Sequence, residues 1–181
     1  YAHERGVVHR DLKPANVMIG EFGETYVVDW GLARIVNSPH APITTHPDAA
    51  SLSAGASPVA SPDIRPSSSE SGDLDLRTLH GSVLGTPAYM PPEQASGRLD
   101  EIGTTADVYA LGAMLYHLLA GHAPYGDRLA PETPAEDVVA AVQAGPPTAL
   151  ARRNPKAAAE LVSICEKAMR RDPAERSEEH T

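Results

Sequence analysis

The chain has 181 residues, of which 41% are hydrophobic and 4% aromatic, enough for one hydrophobic core of ordinary size. Its formal net charge of −9 argues against a surface built to hold nucleic acid or an anionic membrane. A single cysteine, Cys165, excludes an internal disulfide and fits a reducing compartment.

No apolar run reaches bilayer-spanning length and no signal peptide opens the chain. A cytoplasmic segment without membrane contact is therefore expected, whatever anchor a parent protein carries elsewhere. Residues 1–8 read as the last turn of a helix that closes at Gly6, glycine being a common helix terminator. Residues 16–19 and 25–30 form two short β-branched runs around Glu21-Phe22-Gly23-Glu24, the pattern of a hairpin. From 37 to 78 the composition turns to Ser, Pro, Ala and Asp, with Pro39, Pro42, Pro47, Pro58, Pro62 and Pro66 spread through it. Such a stretch buries too little apolar area to offset its ordering entropy, so a disordered insert is expected.

Ordered structure should resume near Val83. The run 106–120 sets Leu111, Met114, Leu115, Leu118 and Leu119 at helical spacing, with Gly121 as a stop. A second helix is expected from Thr133-Pro134-Ala135-Glu136. There Thr133 would cap, Pro134 suits the first position and Glu136 completes a capping box, a cap worth about 1 kcal/mol. A third should follow Asn154-Pro155, present Leu161, Ile164, Cys165 and Ala168 on one face, and end at Asp172 before Pro173. Cys165 then reads as a buried structural thiol.

The chemistry concentrates in Val8-His9-Arg10-Asp11-Leu12-Lys13-Pro14-Ala15-Asn16-Val17, followed by Val28-Asp29-Trp30-Gly31. Asp11 is a candidate general base, and Lys13, two positions on, a cation for developing negative charge. The Asn16 amide oxygen and the Asp29 carboxylate are hard ligands suited to Mg²⁺, which binds through few protein groups and shares phosphate oxygens. An isolated His-Arg-Asp is an ordinary surface turn. Lys, Pro and Asn at these offsets, with Asp-Trp-Gly after a hairpin, make a coincidence implausible.

With these motifs in this order, the chain resembles the eukaryotic-like serine/threonine protein kinases of bacteria. Gly85-Thr86-Pro87-Ala88-Tyr89-Met90-Pro91-Pro92-Glu93 looks like the end of an activation segment, and Asp107-Val108-Tyr109-Ala110-Leu111-Gly112 like the start of the central helix. The resemblance implies ATP with Mg²⁺ (or Mn²⁺) as cofactors and protein Ser/Thr hydroxyls as acceptors. It makes Asp11, Lys13 and Thr86 catalytic, with the Thr86 hydroxyl bridging Asp11 and Lys13. Asn16 and Asp29 would hold metal, and Met18, Met114 and Leu118 would pack beneath adenine, although plain core suits those three equally.

Other implied roles are supportive. Asp107 would hold the catalytic-loop backbone from below, Glu93 would pair with Arg176, and His9 and Trp30 would pack in an internal hydrophobic column. Trp30 stands where the family usually has Phe, and Pro91 where it has Ala. Arg10 before Asp11 is the arrangement of kinases switched on by activation-segment phosphorylation, with Thr78 and Ser82 as candidate sites. Ala15 and His117 occupy positions where arginine-directed kinases carry acids, so only weak basic preference is expected. Val83, Pro87 and Met90 would line an apolar pocket for the residue after the acceptor. His3, His40, His46, His80, His122 and His180 read as surface residues.

The resemblance covers 1–181 as a partial kinase domain. The implied fold is mainly α with a small β-hairpin, a C-terminal lobe lacking its N-terminal lobe and truncated at both ends, with 37–78 inserted in the activation segment. No glycine-rich loop, ATP-anchoring Lys or partner Glu precedes the catalytic loop in this sequence; upstream sequence would supply that lobe. The chain alone is expected to be inactive. The competing reading, a noncatalytic pseudokinase-like scaffold, would need none of Asp11, Lys13, Asn16 and Asp29.

Overall fold

A computed structural model describes residues 1–36, 87–130 and 132–176. The expected insert at 37–78, together with Thr78, Ser82, Val83 and Thr86, lies outside the described residues.

A 3-10 turn, His3–Arg5, ends at Gly6 with φ 70°. Glycine is required there, because a Cβ would lie 2.7 Å from the Val36 carbonyl oxygen. The approach is close because Val36 N–H donates to Gly6 O. It closes a short antiparallel pair of β1 (Val7–Val8) and β4 (Arg34–Ile35), in register Val7 to Ile35. The expected hairpin lies between them, β2 (Val17–Ile19) against β3 (Thr25–Val27), with Met18 opposite Tyr26. Pairing stops at Val27, and Trp30 instead opens a 3-10 turn, Trp30–Leu32.

Beyond the undescribed stretch come a 3-10 turn, Pro87–Tyr89, and the short helix α1 (Pro92–Ala95). The central helix α2 spans Thr104–Ala120 and ends at Gly121, φ 81°. Then follow α3 (Ala135–Ala144), α4 (Leu150–Arg153), α5 (Ala159–Ala168) and a 3-10 turn, Pro173–Glu175. The main core joins Tyr89, Tyr109, Ala113, Tyr116, Leu150, Cys165 and Met169. A smaller one under the N-terminal strands joins Val8, Ile102 and Ala106.

Helix α2 turns a different face inward than its leucines suggested. Leu111 and Leu118 are 52% and 80% exposed, while Ala106, Tyr109, Ala110, Gly112, Ala113 and Tyr116 are buried. The helix is apolar on nearly every side, so periodicity alone could not orient it. Small residues decide the contact: a Cβ on Gly112 would come within 2.7 Å of the Ala168 Cβ. Only glycine lets α5 lie this close.

The expected capping box at α3 does not form. Pro134 occupies the N-cap position and no side chain caps the amides; Thr133 N–H is turned back to Ala130 O. The opposite end is secured from a distance, as the Arg171 guanidinium donates to Val142 O at 2.8 Å and Gln143 O at 2.9 Å. Helix α5 ends at Ala168, short of Asp172, whose carboxylate caps the following turn through Ala174 N–H. Leu161 and Ile164 stay exposed on it. Helix α4 was not anticipated; Asn154 after it donates to Leu119 O, tying it to α2.

Cys165 is buried, with its thiol 3.4 Å from Gly112 O. Burial, helped by the Glu166 charge, pushes the thiol pKa up to about 11. Because the thiolate is the nucleophile, Cys165 should resist iodoacetamide at neutral pH in the native full-length protein and react once denaturant is added. Mass spectrometry showing native alkylation at the denatured rate would contradict this placement. Among the described residues, no helix is long and apolar enough to cross a membrane.

Candidate active site

The loop after β1 turns sharply at Arg10, a non-glycine residue at φ 69°, a left-handed conformation that persists only where surroundings enforce it. Asp107, in the first turn of α2, does the enforcing. Its carboxylate accepts His9 N–H at 2.8 Å and Arg10 N–H at 2.9 Å. The carboxylate, 3% exposed, also accepts from His3 Nε2 at 2.8 Å. His3 is exposed, as its sequence context suggested, and is also part of the loop's support.

His9 is 2% exposed and lies 4.7 Å from the Trp30 ring. Its two nitrogens have opposite roles. Nδ1 accepts Asp11 N–H at 3.3 Å, so Nε2 carries the proton and donates to Val28 O at 3.0 Å. The neutral ring thereby joins the loop after β1 to the segment after β3 that carries Asp29. Trp30 stays 43% exposed and donates through Nε1 to Val27 O.

Asp11, Lys13 and Asn16 converge. Lys13 Nζ lies 2.7 Å from Asp11 Oδ2. Asn16 Nδ2 donates to Asp11 O at 2.8 Å and to the same Oδ2 at 3.2 Å. This fixes the amide orientation and turns Asn16 Oδ1 away from Asp11. Val28 N–H donates to Asn16 O, one position beyond the last paired residues of the hairpin, and Asp29 follows directly. Asp29 is exposed with φ 62°. Met18 is 57% exposed beside Tyr26, and Met114 is half-buried against the core.

A second cluster anchors α1. Glu93 and Arg176, both 0% exposed as side chains, pair through two bonds of 2.6 and 2.8 Å. Arg176 also donates to the carbonyls of Arg170, Arg171 and Thr105 and lies over the Tyr109 ring. Next along α1, Gln94 Nε2 donates to Arg10 O at 3.0 Å. The Arg10 guanidinium is held below its ordinary pKa by burial and by the Arg34 charge, partly offset by Asp107. Its Nε is buried without an acceptor among the described residues.

The sequence had not marked Arg34 or Gln94. Arg34 left one clue, a cation in an otherwise apolar pair of strands, while Gln94 left none. His117 Nδ1 is 2.6 Å from the Tyr89 hydroxyl. His122, also expected on the surface, is half-buried and engages Arg153 and Ala123 O. His40, His46, His80 and His180 lie outside the described residues. Pro87 is buried and Met90 half-buried.

The protein kinase domain family matches residues 1–58 and 65–180. The chain belongs to the protein kinase family. Among curated proteins, this kinase segment is 38% identical over 126 residues to serine/threonine-protein kinase PknD of Protochlamydia amoebophila, covering 69% of this chain and 11% of that one. PknD of Chlamydia muridarum is 35% identical over 139 residues, 77% of this chain and 13% of the relative. PknB of Mycobacterium tuberculosis is 30% identical over 180 residues, 97% of this chain and 22% of its own length. The segment therefore spans from about a tenth to about a fifth of these relatives. All three relatives carry the serine/threonine name.

Proposed function

We propose that this chain is the catalytic-loop-bearing part of the C-terminal lobe of a serine/threonine protein kinase. The parent would transfer the ATP γ-phosphoryl group to Ser/Thr hydroxyls of cytoplasmic proteins. The observation that carries the reading is the convergence of Lys13 Nζ and Asn16 Nδ2 on one oxygen of Asp11, on a loop whose unfavourable turn is pinned by Asp107.

Asp11 accepts the proton of the acceptor hydroxyl as its oxygen bonds to phosphorus and the bond from phosphorus to the ADP oxygen breaks. Lys13 is 2.7 Å from that base and neutralises charge on the transferring group. Asn16 Oδ1, turned away from Asp11, and the exposed Asp29 carboxylate are the oxygen donors for Mg²⁺ or Mn²⁺. Bound with the nucleotide, the metal would neutralise phosphate charge. Thr86, outside the described residues, is proposed to bridge Asp11 and Lys13. Met18, 57% exposed, and Trp30, 43% exposed, offer apolar surface to adenine and to an N-terminal lobe supplied by the rest of the longer protein. The deciding experiment is phosphorylation of a Ser/Thr peptide by the full-length protein, with and without Asp11.

We extend the reading to regulation. Arg10 and Arg34 place two cations close enough to perturb each other, with a buried Arg10 donor lacking an acceptor among the described residues. A phosphate brings the missing charge and acceptors. Thr78 and Ser82 are the proposed donors of that phosphate. Phosphopeptide mapping of the active parent should find one of them modified, and phosphatase treatment should lower the activity of wild type but not of Arg10→Gln. Modification of neither residue would refute the assignment.

A further inference from the structure

We propose that Gln94 is a positioning residue for Asp11, clamping the peptide unit immediately before it and coupling helix α1 to the catalytic loop. This rests on the kinase reading above. The Arg10–Asp11 peptide plane has two polar edges. Its N–H edge goes to His9 Nδ1 at 3.3 Å, and its C=O edge receives Gln94 Nε2 at 3.0 Å. The Gln94 bond is the shorter hold. Around this plane, Asp107 fixes the amides of His9 and Arg10, and Asn16 fixes Asp11 O.

Each of these partners except Gln94 belongs to the loop itself or to α2. Gln94 is the contribution of α1, across 84 positions of sequence. Its neighbour Glu93 is locked by Arg176 with neither side chain exposed, so α1 is a fixed reference for the clamp. Arg10 holds a positive φ, a conformation from which its peptide plane rotates when released. Rotation would swing the Asp11 carboxylate that follows.

The amide assignment follows from chemistry: Arg10 O can only accept, so the NH₂ group faces it. Gln94, 6% exposed, thereby buries Oε1 without a donor among the described residues. A buried unsatisfied acceptor is destabilising. An apolar side chain of the same shape would avoid that penalty, so packing alone does not account for an amide here.

The test uses the full-length protein, a Ser/Thr peptide and MgATP. Gln94→Met keeps the length and removes the donor, and Gln94→Glu keeps the shape and removes it. Both should lower kcat about ten- to a hundredfold, as expected for a displaced catalytic group, with KM for ATP unchanged; Tm should stay near wild type in Gln94→Met and fall in Gln94→Glu, whose buried carboxylate faces Arg10 O. Hydrogen exchange over residues 8–16 should quicken in Gln94→Met whether or not the protein turns over. Wild-type kcat in both variants overturns the proposal, as does unchanged exchange over 8–16. An inert wild type whose exchange still responds to Gln94→Met sinks the kinase reading and the role in catalysis, while showing that the clamp is physical.

Discussion

Asp11→Asn in the full-length protein is expected to reduce kcat for peptide phosphorylation by about 10²–10⁴-fold without unfolding the chain. Asn is nearly isosteric and its amide oxygen still accepts from Lys13 Nζ, which lies 2.7 Å from the carboxylate in the native site. The backbone bonds to Asp11, through His9 Nδ1 and Asn16 Nδ2, do not involve its carboxylate. What disappears is the basic oxygen proposed to receive the hydroxyl proton. KM for ATP should move little, because the proposed metal ligands Asn16 and Asp29 are untouched. Steady-state kinetics with circular dichroism on the same preparations would check both halves of the expectation. Activity retained in Asp11→Asn would remove Asp11 as the base. Equal inactivity of wild type and variant, with the fold intact, would favour the scaffold role.

The largest effect on stability is expected at the other cluster. Arg176→Ala should cost about 3–5 kcal/mol, since it leaves one partner of a buried pair uncompensated. Glu93 is 0% exposed and receives two short bonds from the guanidinium, so the variant leaves a buried carboxylate without its cation. The carbonyls of Arg170, Arg171 and Thr105 lose the same donor. Against total stabilities of about 5–15 kcal/mol for ordinary proteins, such a loss removes a large share of the margin. Arg176→Lys should recover little, because an ammonium cannot span both carboxylate oxygens and the carbonyls together. Adding Glu93→Gln to Arg176→Ala should reduce the damage by removing the stranded charge. Urea unfolding of the full-length variants measures each step, and an Arg176→Ala midpoint equal to wild type would exclude a structural role for the pair.

The kinase motifs were legible because their members lie close in sequence and their spacing is dictated by one turn of backbone. Asp11, Lys13 and Asn16 need only a short loop to converge. The hairpin was legible through β-branched runs around a glycine-containing connection, and the end of α2 through Gly121. The Glu93–Arg176 contact spans 83 positions and was anticipated through family resemblance, since no local pattern links two such distant residues. What the α3 capping box missed was competition: Thr133 N–H serves the preceding turn through Ala130 O, and the helix begins later.

The sequence by itself pointed to the proposed chemistry: a carboxylate as base, a neighbouring cation and two oxygen donors on a loop and hairpin with family-specific spacing. Tertiary structure decided which groups make that chemistry positional. Packing against α5 through Gly112 chose the buried face of α2, because close approach depends on small residues and not on the count of leucines. His3 reaches Asp107 across 104 positions and Gln94 reaches Arg10 across 84. Hydrogen bonds between such distant groups leave no periodicity or spacing in the chain; they exist only once the fold has brought donor and acceptor within 3 Å or so.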